Sequence, residues 1–397
     1  MSFALIDFRQ EVKEELFRIM QYWIDHSVDY EKGGFYGEVD GKNIVHPGAP
    51  RSVVVTSRIL WTFSAVHQLF PDPRYLALAK RGYEYLIDHF SDKEYGGVYW
   101  SVTAEGAPLE KKKQLYGQAF AIYGLSEYYK ASKDENALNH AKEIFSKGIK
   151  HAYDAVKGGY TEAFARDWSN TDDYILSRGE NRKSMNTHLH LLEAFTNLYS
   201  VWKSETARFH LQHSIQLMLD HIIDPSTYRM TLFFKEDWQH TTTTISYGHD
   251  IEASWLLWEA AEVLGNSKLK SKCKEMSVKM ATAASDGLAD NGAINYEYEP
   301  ETKHLNDTKQ WWPEAEAMVG FYNAYQLSGK VHFLEKSEKV WAYIKQYLID
   351  LINGEWYSIV DGNNKVVSDS KINFWKGPYH NSRSCMEIYR RLGQRGS

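Results

Sequence analysis

The segment GGVYW at residues 96–100 decides the fold, because a Gly-aromatic motif of this kind returns along the whole chain. The copies are GGFYG from Gly33, GGVYW from Gly96, GGYTE from Gly158, GAINYEYE from Gly292 and GEWYSI from Gly354. Neighbouring copies start about 62 residues apart, except for one gap of about two periods. The middle of that gap holds the extended-looking MTLFF from Met230, so the spacing predicts six structural units.

Between these motifs, apolar residues recur at i, i+3 and i+4, which predicts two helices in each unit. One set is amphipathic and rich in charge, as is typical of outer helices. It covers residues 8–27, 73–90, 135–152, 205–223, 267–285 and 331–350. The other set is apolar on most sides, which indicates buried inner helices. These six helices begin around Arg58, Gln118, His190, Glu252, Glu316 and Arg383.

Alternating inner and outer helices predict an all-α fold, an (α/α)6 barrel (toroid) with short β-hairpin segments at the Gly-aromatic motifs. Residues 1–397 then form a single domain, because no linker interrupts the repeat. The N-terminal outer helix is expected to close the ring beside the C-terminal inner helix. An open helical solenoid has the same periodicity and stays an alternative, since only ring closure separates the two.

Composition excludes several classes of protein. The formal net charge is −6, with 46 Lys+Arg against 52 Asp+Glu and no long basic run, so neither a nucleic acid nor a membrane surface is an expected partner. Two cysteines, Cys273 and Cys385, form no disulfide framework or zinc-thiolate pattern. Early charges and the lack of an 18-residue apolar stretch predict a cytoplasmic protein without a leader or membrane span.

The inner helices share a polar position that predicts a pocket. Aligned with one another, they place one polar or charged residue at an equivalent point near each start: Arg58, Gln118, His190, Glu252, Glu316 and Arg383. All six are expected to line the barrel interior, where polar groups are costly unless they pair or bind a ligand. Aromatic residues make up 14% of the chain, which suits either an aromatic core or stacking on sugar rings.

Three histidines fall at aligned positions of three repeats. His190 holds the shared position, and His249 and His380 precede it by three residues in their own helices. One turn before the shared position come Asn186, Trp312 and Tyr379, and Trp375 lies just upstream. Each residue taken alone could have a purely structural role: a buried histidine can be a hydrogen-bonded core residue, and a Glu–Arg pair can simply neutralise its own charges. The threefold alignment favours a functional site.

Metal and nucleotide chemistry have little support in the sequence. Histidine triads bind zinc, but HExxH is absent, and His188 and His190 of HLH diverge on a helix. Phosphate loops of the GxxxxGKS type and GxSxG elbows are absent as well. We therefore expect no metal and no cofactor. Metal-free histidines that titrate near neutral pH are typical proton shuttles, and aromatic walls point to a small saccharide as the partner.

At these residues the sequence resembles the N-acylglucosamine 2-epimerase superfamily over essentially its full length. The segments that carry the resemblance are SRILWTF (57–63), EYGGVYW (94–100), MNTHLHLLEAF (185–195), SYGHDIEASWL (246–256), WWPEAEAMVGF (311–321) and WKGPYHNSR (375–383). GHDIEASW and PYHN are specific, whereas the GG-aromatic repeat alone is not. Asp250, beside the GH pair, favours the members that act on disaccharides such as cellobiose.

The resemblance implies a reversible epimerisation at C2 of a reducing-end glucose or mannose, through a cis-enediolate. It implies that His249 and His380 form the general acid/base pair, that His190 assists ring opening and that Arg58 stabilises the enediolate. It also implies a set of substrate-binding residues: Asn186, Glu252, Glu316, Trp312, Trp375 and Tyr116. A C2 proton is too weakly acidic for histidine unless a cation or hydrogen bond stabilises the oxyanion, and Arg58 meets that need.

Other functions stay open from the sequence. Members of the same superfamily include free-mannose 2-epimerases and aldose–ketose isomerases, which share the histidines. An (α/α)6 toroid also suits an inverting glycosidase, with Glu252 and Glu316 as carboxylates about 6.5–9.5 Å apart. A third possibility is a non-catalytic sugar-binding or regulatory module that uses the same pocket.

Overall fold

Twelve α-helices alternate along the part of the chain that the computed structural model describes, residues 3–177 and 179–393. The outer helices are α1 (Phe3–His26), α3 (Pro73–Tyr85), α5 (Glu135–Ala152), α7 (Glu205–Leu217), α9 (Ser267–Ala284) and α11 (Val331–Tyr343). The inner helices are α2 (Val53–Leu69), α4 (Leu115–Ser132), α6 (Met185–Val201), α8 (Tyr247–Leu264), α10 (Trp311–Ser328) and α12 (Tyr379–Gly393). A π-helical turn extends α3, α7 and α11 to Phe90, Ile222 and Leu348. The predicted alternation is confirmed.

Local sequence explains where the outer helices begin. Asp72 caps α3 and Pro73 follows at its first position, where a missing N–H costs nothing. Asp134, Ser204 and Asn266 cap α5, α7 and α9 through their side chains. The inner helices are buried along most of their length; in α2 every residue from Val53 to Val66 is buried. None of the described helices combines the length and apolar character needed to span a membrane.

Each outer helix ends in a tight hairpin, and the hairpins occur six times. The paired residues are Val28 with Phe35, Ser91 with Val98, Tyr153 with Tyr160, Ile223 with Met230, Leu288 with Ile294, and Ile349 with Trp356. The hairpin predicted at Met230 is therefore present although its motif lacks glycine. Tyr228 has a φ of 60° there, in the left-handed region that Gly158 occupies in the preceding hairpin.

Short antiparallel strands link consecutive units. The first three sheets pair β1 (Arg51–Ser52) with β2 (Ser101–Val102), β3 (Lys113–Gln114) with β4 (Ala163–Phe164), and β5 (Lys183–Ser184) with β6 (Phe233–Phe234). The other two contain β7 (Ile245–Ser246), β8 (Glu297–Glu299) and β9 (His304–Asn306), and β10 (Lys309–Gln310), β11 (Ile359–Val360) and β12 (Val366–Ser368). β1, β3, β5, β7 and β10 directly precede inner helices, so these sheets surround the N-terminal end of the inner ring.

The ring is closed. α12 packs against α1, α2 and α10, so the last inner helix contacts both the first unit and the preceding inner helix. At this seam Nε1 of Trp23 donates to Glu355 at 3.1 Å, and Nε1 of Trp356 donates to Glu15 at 2.7 Å. A bridge between Val39 and Ile372 joins the first and last units. The closed (α/α)6 barrel is thereby confirmed and the open solenoid is wrong.

Buried ion pairs fasten the hairpins to the strands that follow them. Arg51, Lys113 and Lys183 stand on strands that lead into inner helices, and Lys371 lies between β12 and α12. In that order they pair with Asp29, Asp92, Asp154 and Asp350. Each of these carboxylates also accepts backbone N–H groups of its own turn. A buried charge is tolerated when it is paired in this way. The pairs hold the hairpins around the mouth of the barrel.

Candidate active site

A cavity of about 400 Å³ opens at the N-terminal end of the inner helices, where the sheets surround the barrel axis. Nine residues predicted for the site line it: Arg58, Tyr116, Asn186, His190, His249, Glu252, Trp312, Trp375 and His380. Glu316 and Arg383 lie behind this lining and contact it through hydrogen bonds. The small sheets and the loops beside them supply further lining residues that sequence reasoning missed, among them Tyr296, Gln310, Ser358 and Asn373.

Gln118 is a correction to the predicted interior ring. It is buried, but its amide accepts from N of Val98 and donates to O of Val98, both at 2.8 Å, so it serves the neighbouring hairpin. The residue at the true equivalent position is Phe120, which contacts His190 with ring centroids 4.7 Å apart and lies under the Arg58 guanidinium. The alignment was displaced by two residues in this repeat, because α4 is buried on nearly all sides and its sequence does not mark the axial face.

Asp250 is placed away from the cavity as well. Its carboxylate accepts from N of Met230 at 2.8 Å and from Arg229 at 3.3 Å. Burial raises the pKa of Asp250 to about 7. Asp250 therefore binds the hairpin at Met230 and does not line the cavity.

Arg58 is held at the cavity wall by two hydrogen bonds. Nη1 donates to the carbonyl oxygen of Trp375 at 2.9 Å, and Nη2 donates to the hydroxyl of Tyr116 at 3.0 Å. Nε is buried and has no hydrogen-bond partner among the described residues. The guanidinium thus keeps N–H groups available for a ligand. Burial raises the pKa of Tyr116 to about 12, so this hydroxyl stays protonated at neutral pH.

His190 and His380 are each oriented by a carboxylate. Nδ1 of His190 donates to Oε2 of Glu193 at 2.9 Å, one turn further along α6. Nδ1 of His380 lies 2.7 Å from Oε1 of Glu316. Both oxygens of Glu316 also accept N–H donors, from Arg383 and Trp255, which fixes the proton on the histidine nitrogen. In both rings Nε2 is left without a protein partner in the described part of the chain and carries the lone pair.

His249 is held differently. Its Nδ1 lies 2.7 Å from the hydroxyl of Ser246, which can donate or accept. The imidazole packs on Trp312, with ring centroids 4.6 Å apart, and Trp312 also contacts His380 at 5.8 Å. The indole of Trp312 therefore bridges two of the three histidines.

Burial makes the neutral form of each histidine the favoured one. It lowers the pKa of His249 to about 3, with a smaller contribution from His190. It also lowers the pKa of His380 well below the ordinary value, assisted by the positive charges of Arg58 and Arg383. The pKa of His190 is lowered by burial and held up in part by Glu193. Three neutral imidazoles facing one cavity can act as proton acceptors.

A charged layer forms the floor of the cavity. Nη2 of Arg383 donates to Oε1 of Glu252 at 2.8 Å and to Oε1 of Glu316 at 2.7 Å. Burial, then the proximity of Glu316, raises the pKa of Glu252 well above its ordinary value. Glu252, Glu316 and His380 are close enough together to hold a metal ion, the one such group found among the described residues. Nη2 of Arg383 already donates to one oxygen of each of these two carboxylates.

The remaining lining residues suit a sugar. Oδ1 of Asn186 is buried without a hydrogen-bond partner in the described structure, and a ligand hydroxyl would satisfy it. Trp375 is 37% exposed and contacts Trp100 and Tyr116. Aromatic faces such as Trp312 and Trp375 offer the apolar surface on which sugar rings stack.

Glu193 and Ser246 are the site residues that sequence reasoning missed most clearly. Glu193 follows His190 by three residues, and this i, i+3 spacing on one helix face was a readable signal. Ser246 stands at the N-cap position of α8, three residues before His249. Neither residue was singled out from the sequence, because their partners depend on side-chain direction.

Comparison with known proteins shows the family of the chain. The sequence model of N-acylglucosamine 2-epimerase (GlcNAc 2-epimerase) matches residues 33–382. The chain is 44% identical to a cellobiose 2-epimerase of Bacteroides fragilis and 40% identical to one of Ruminococcus albus; each match covers 96% of this chain and 98% of the relative. The solved cellobiose 2-epimerase of Spirochaeta thermophila superposes with a TM-score of 0.94 at 36% identity, covering 99% of this chain and 98% of that one. This chain therefore belongs to the N-acylglucosamine 2-epimerase family.

Proposed function

We propose that the chain interconverts glucose and mannose at the reducing end of a β-1,4-linked disaccharide such as cellobiose. The observation that carries the proposal is the convergence of three neutral histidines and Arg58 on one cavity. It is supported by 44% identity to the Bacteroides fragilis cellobiose 2-epimerase over nearly the whole chain. Enzymes that move a proton α to a carbonyl need a base, an acid and a group that stabilises the oxyanion.

His249 and His380 form the general acid/base pair in this proposal. The neutral imidazole of one accepts the C2 proton of the opened sugar on Nε2, which leaves an enediolate. The other histidine, which has taken up a proton from solvent although burial favours its neutral form, then returns this proton from its Nε2 to the opposite face of C2. After one turnover the two histidines have exchanged protonation states, so the reverse reaction uses them in the opposite order. Glu316, 2.7 Å from Nδ1 of His380, stabilises the imidazolium form of that residue.

Arg58 stabilises the negative charge that develops on the enediolate oxygen. Its bonds to Trp375 and Tyr116 fix the guanidinium at the wall before substrate enters. A group that is already oriented needs no reorganisation when the charge appears, and a buried site strengthens the interaction. Arg58 is therefore the electrostatic part of the machinery.

The other lining residues bind and open the sugar. His190 presents Nε2 to the cavity and assists ring opening and closure. Asn186 accepts a hydrogen bond from a sugar hydroxyl through Oδ1, which lacks a protein partner in the described chain, and Glu252 binds a hydroxyl at the cavity wall. Tyr116 and Glu316 hold Arg58 and His380 in place. Trp312 and Trp375 stack on the rings.

A glycosidase that uses Glu252 and Glu316 has no support in this geometry. The two carboxylates share one nitrogen of Arg383, and their closest oxygens lie within 4.8 Å of each other. An inverting glycosidase keeps its carboxyl groups about 6.5–9.5 Å apart to admit a water molecule.

Incubation with cellobiose in D2O tests the proposal. We expect glucosyl-mannose that carries deuterium at C2, detected by NMR and mass spectrometry. Free glucose would indicate a glycosidase, and unchanged cellobiose would indicate a binding protein; either result contradicts the proposal. D-mannose and D-glucose run in parallel separate a disaccharide enzyme from a free-mannose epimerase, and a ketose product would reveal an aldose–ketose isomerase.

Removal of metal ions gives a second prediction. We expect epimerisation to continue at an unchanged rate after exhaustive dialysis against EDTA, because the positive charge of Arg383 already pairs with both carboxylates of the Glu252–Glu316–His380 group. The measurement is initial rate before and after dialysis, with metal content checked by elemental analysis. Loss of activity that a divalent ion restores would show that a metal takes part.

A further inference from the structure

Arg383 lies beneath the cavity floor and joins three inner helices. It is 2% exposed and is not part of the cavity lining. Nη1 donates to Oε1 of Glu193 and to the hydroxyl of Tyr379, and Nη2 donates to Glu252 at 2.8 Å and Glu316 at 2.7 Å. One guanidinium from α12 thus holds carboxylates of α6, α8 and α10.

Two of these carboxylates orient histidines that face the cavity. Glu193 accepts from Nδ1 of His190 at 2.9 Å, and Glu316 lies 2.7 Å from Nδ1 of His380. Arg383 is therefore connected to each histidine through one carboxylate. Its Nη1 bonds Glu193 and its Nη2 bonds Glu316, on opposite sides of the planar guanidinium. A guanidinium has donors in fixed directions and can hold several acceptors at once, whereas an ammonium is a single point charge.

We propose that Arg383 is a positioning residue that sets the orientation and the charge of the His190–Glu193 and His380–Glu316 pairs together. The proposal rests on the proposed function, because it assigns these pairs to the epimerisation. Arg383 touches no reacting atom. It acts through the two carboxylates, so that the two Nε2 atoms keep a fixed relation to each other across the cavity.

Every element around Arg383 contributes charged or titratable groups. They are Arg58 on α2, Tyr123 on α4, Glu193 on α6, Glu252 and Glu259 on α8, Glu316 on α10, and Tyr379, His380, Glu387 and Arg391 on α12 itself. Although burial raises the pKa of Glu193, Arg383 and His190 hold it at about 2. After burial and Arg58, Arg383 also lowers the pKa of His380. Loss of its charge should raise the pKa of both histidines.

The test uses substitutions that keep the volume of the side chain. Arg383 lines a second cavity of about 100 Å³ on the other side of the floor, so removal of the whole side chain would enlarge that cavity toward the active site. Arg383→Lys keeps the charge and loses the fork, and Arg383→Met loses both. The matched control is Arg391→Met: Arg391 stands two turns further along α12, contacts the same Trp255 and bonds Asn323, Gln326 and Glu387.

For Arg383→Lys we expect kcat on cellobiose to fall by about 10²-fold, as for a misplaced catalytic group, with KM within about threefold of the wild type. For Arg383→Met we expect a similar loss and, in addition, an acid limb of kcat/KM that moves to higher pH. Arg391→Met should lower the melting temperature with neither change. If Arg383 has a purely structural role, its replacement would lower the melting temperature, and activity would fall only in proportion to the unfolded fraction.

Histidine NMR keeps the two proposals separate. With 15N-labelled imidazoles, the signals of His190 and His380 should change in Arg383→Lys and titrate at higher pH in Arg383→Met, while those of the surface residue His304 stay fixed. If the wild type does not epimerise cellobiose, the proposed function fails and the NMR titration still tests the positioning. Unchanged histidine signals together with a kcat within about twofold in Arg383→Lys would overturn the role of Arg383, even if Arg383→Met does not fold.

Discussion

The three histidines differ in what holds their Nδ1 atoms. Carboxylates hold His190 and His380, which fixes one tautomer, whereas the hydroxyl of Ser246 holds His249 and accepts either. A residue that must give and take a proton on the same nitrogen benefits from a partner that can reverse its own role. The Ser246 hydroxyl therefore allows His249 to act as an acid in one direction of the reaction and as a base in the other.

His249→Asn and His380→Asn should each lower kcat/KM on cellobiose by about 10²–10⁴-fold, as expected when a general acid or base is removed. Burial keeps both rings neutral, so the uncharged amide should leave the fold intact. Steady-state kinetics and the melting temperature are measured together. His140→Asn on the outer helix α5 is the control and should retain full activity. More than a tenth of the wild-type rate at either position would contradict the assignment.

Arg58→Lys keeps the charge but loses the two directed bonds to Trp375 and Tyr116. We expect it to remain folded and to bind cellobiose while kcat falls by about 10²-fold, which is typical for loss of one oxyanion donor, and Arg58→Ala should lose more. Isothermal titration gives the affinity, and initial rates give kcat. A large drop in stability with kcat intact in the folded fraction would show that Arg58 only neutralises its neighbours.

At the scale of elements, each of four inner helices has one buried side chain near its start that accepts a hydrogen bond from the preceding hairpin. The backbone N–H donors and their side-chain acceptors are Val98 with Gln118, Tyr160 with His188, Met230 with Asp250, and Ile294 with Glu314. These N–H groups are buried and would be costly without an acceptor. The residue type varies because amide, imidazole and carboxylate can all supply the same lone pair.

His188 gives this layer a dependence on pH. Its Nδ1–H donates to O of Ser184 at 2.7 Å and its Nε2 accepts from N of Tyr160 at 3.1 Å, so a second proton has no place. Burial lowers the pKa of His188 to about 4, whereas the unfolded chain keeps about 6.5. The unfolded state therefore binds more protons between these values, and the wild type loses up to about 3 kcal/mol of stability as pH falls through that window.

His188→Gln should remove that loss, because glutamine supplies the same acceptor, as Gln118 does one repeat earlier, and does not titrate. We expect the stability of the variant relative to the wild type to rise by about 2 kcal/mol between pH 8 and pH 5. Urea unfolding at several pH values measures the difference. His304→Gln, on the exposed strand β9, should follow the wild type. An identical pH slope in His188→Gln and the wild type would show that His188 is not the cause.

For the whole molecule, the seam between the first and last units decides whether twelve helices behave as one body. Trp23 on α1 is fully buried and reaches Glu355, and Trp356 reaches Glu15 in return. In an open array each unit would contact only its neighbours and could melt from the ends. Closure gives the ends the same packing as the middle.

Trp23→Ala should therefore weaken the entire barrel. We expect the free energy of unfolding to fall by about 3–5 kcal/mol, the cost of truncating a buried tryptophan, with a single transition kept. Calorimetry and circular dichroism measure the transition, and cellobiose binding reports on the cavity. Phe209→Ala, at an exposed side chain of α7, should change little. Separate melting of the terminal helices with the cavity still able to bind would contradict cooperative closure.

The sequence by itself determined the elements of this protein. The 62-residue period, the helical spacing and the caps at Asp72, Asp134, Ser204 and Asn266 are local signals, and the structure has the outer helices close to the predicted bounds. The inner helices begin three to five residues before the predicted starts. The first helix begins earlier than predicted, at Phe3. The three histidines were also readable, because equivalent helices place equivalent residues at the same depth.

Only the tertiary structure decided which faces of the inner helices meet at the axis. These helices are buried on nearly all sides, so their sequences carry no polar face that marks the phase, and Gln118 was placed where Phe120 belongs. The same reason hid the link from Arg383 to two histidines, since its contacts with Glu193 and Glu316 join α6, α10 and α12 across the ring. Periodicity fixes a helix and its depth, whereas its rotation about its own axis is set by the neighbours against which it packs.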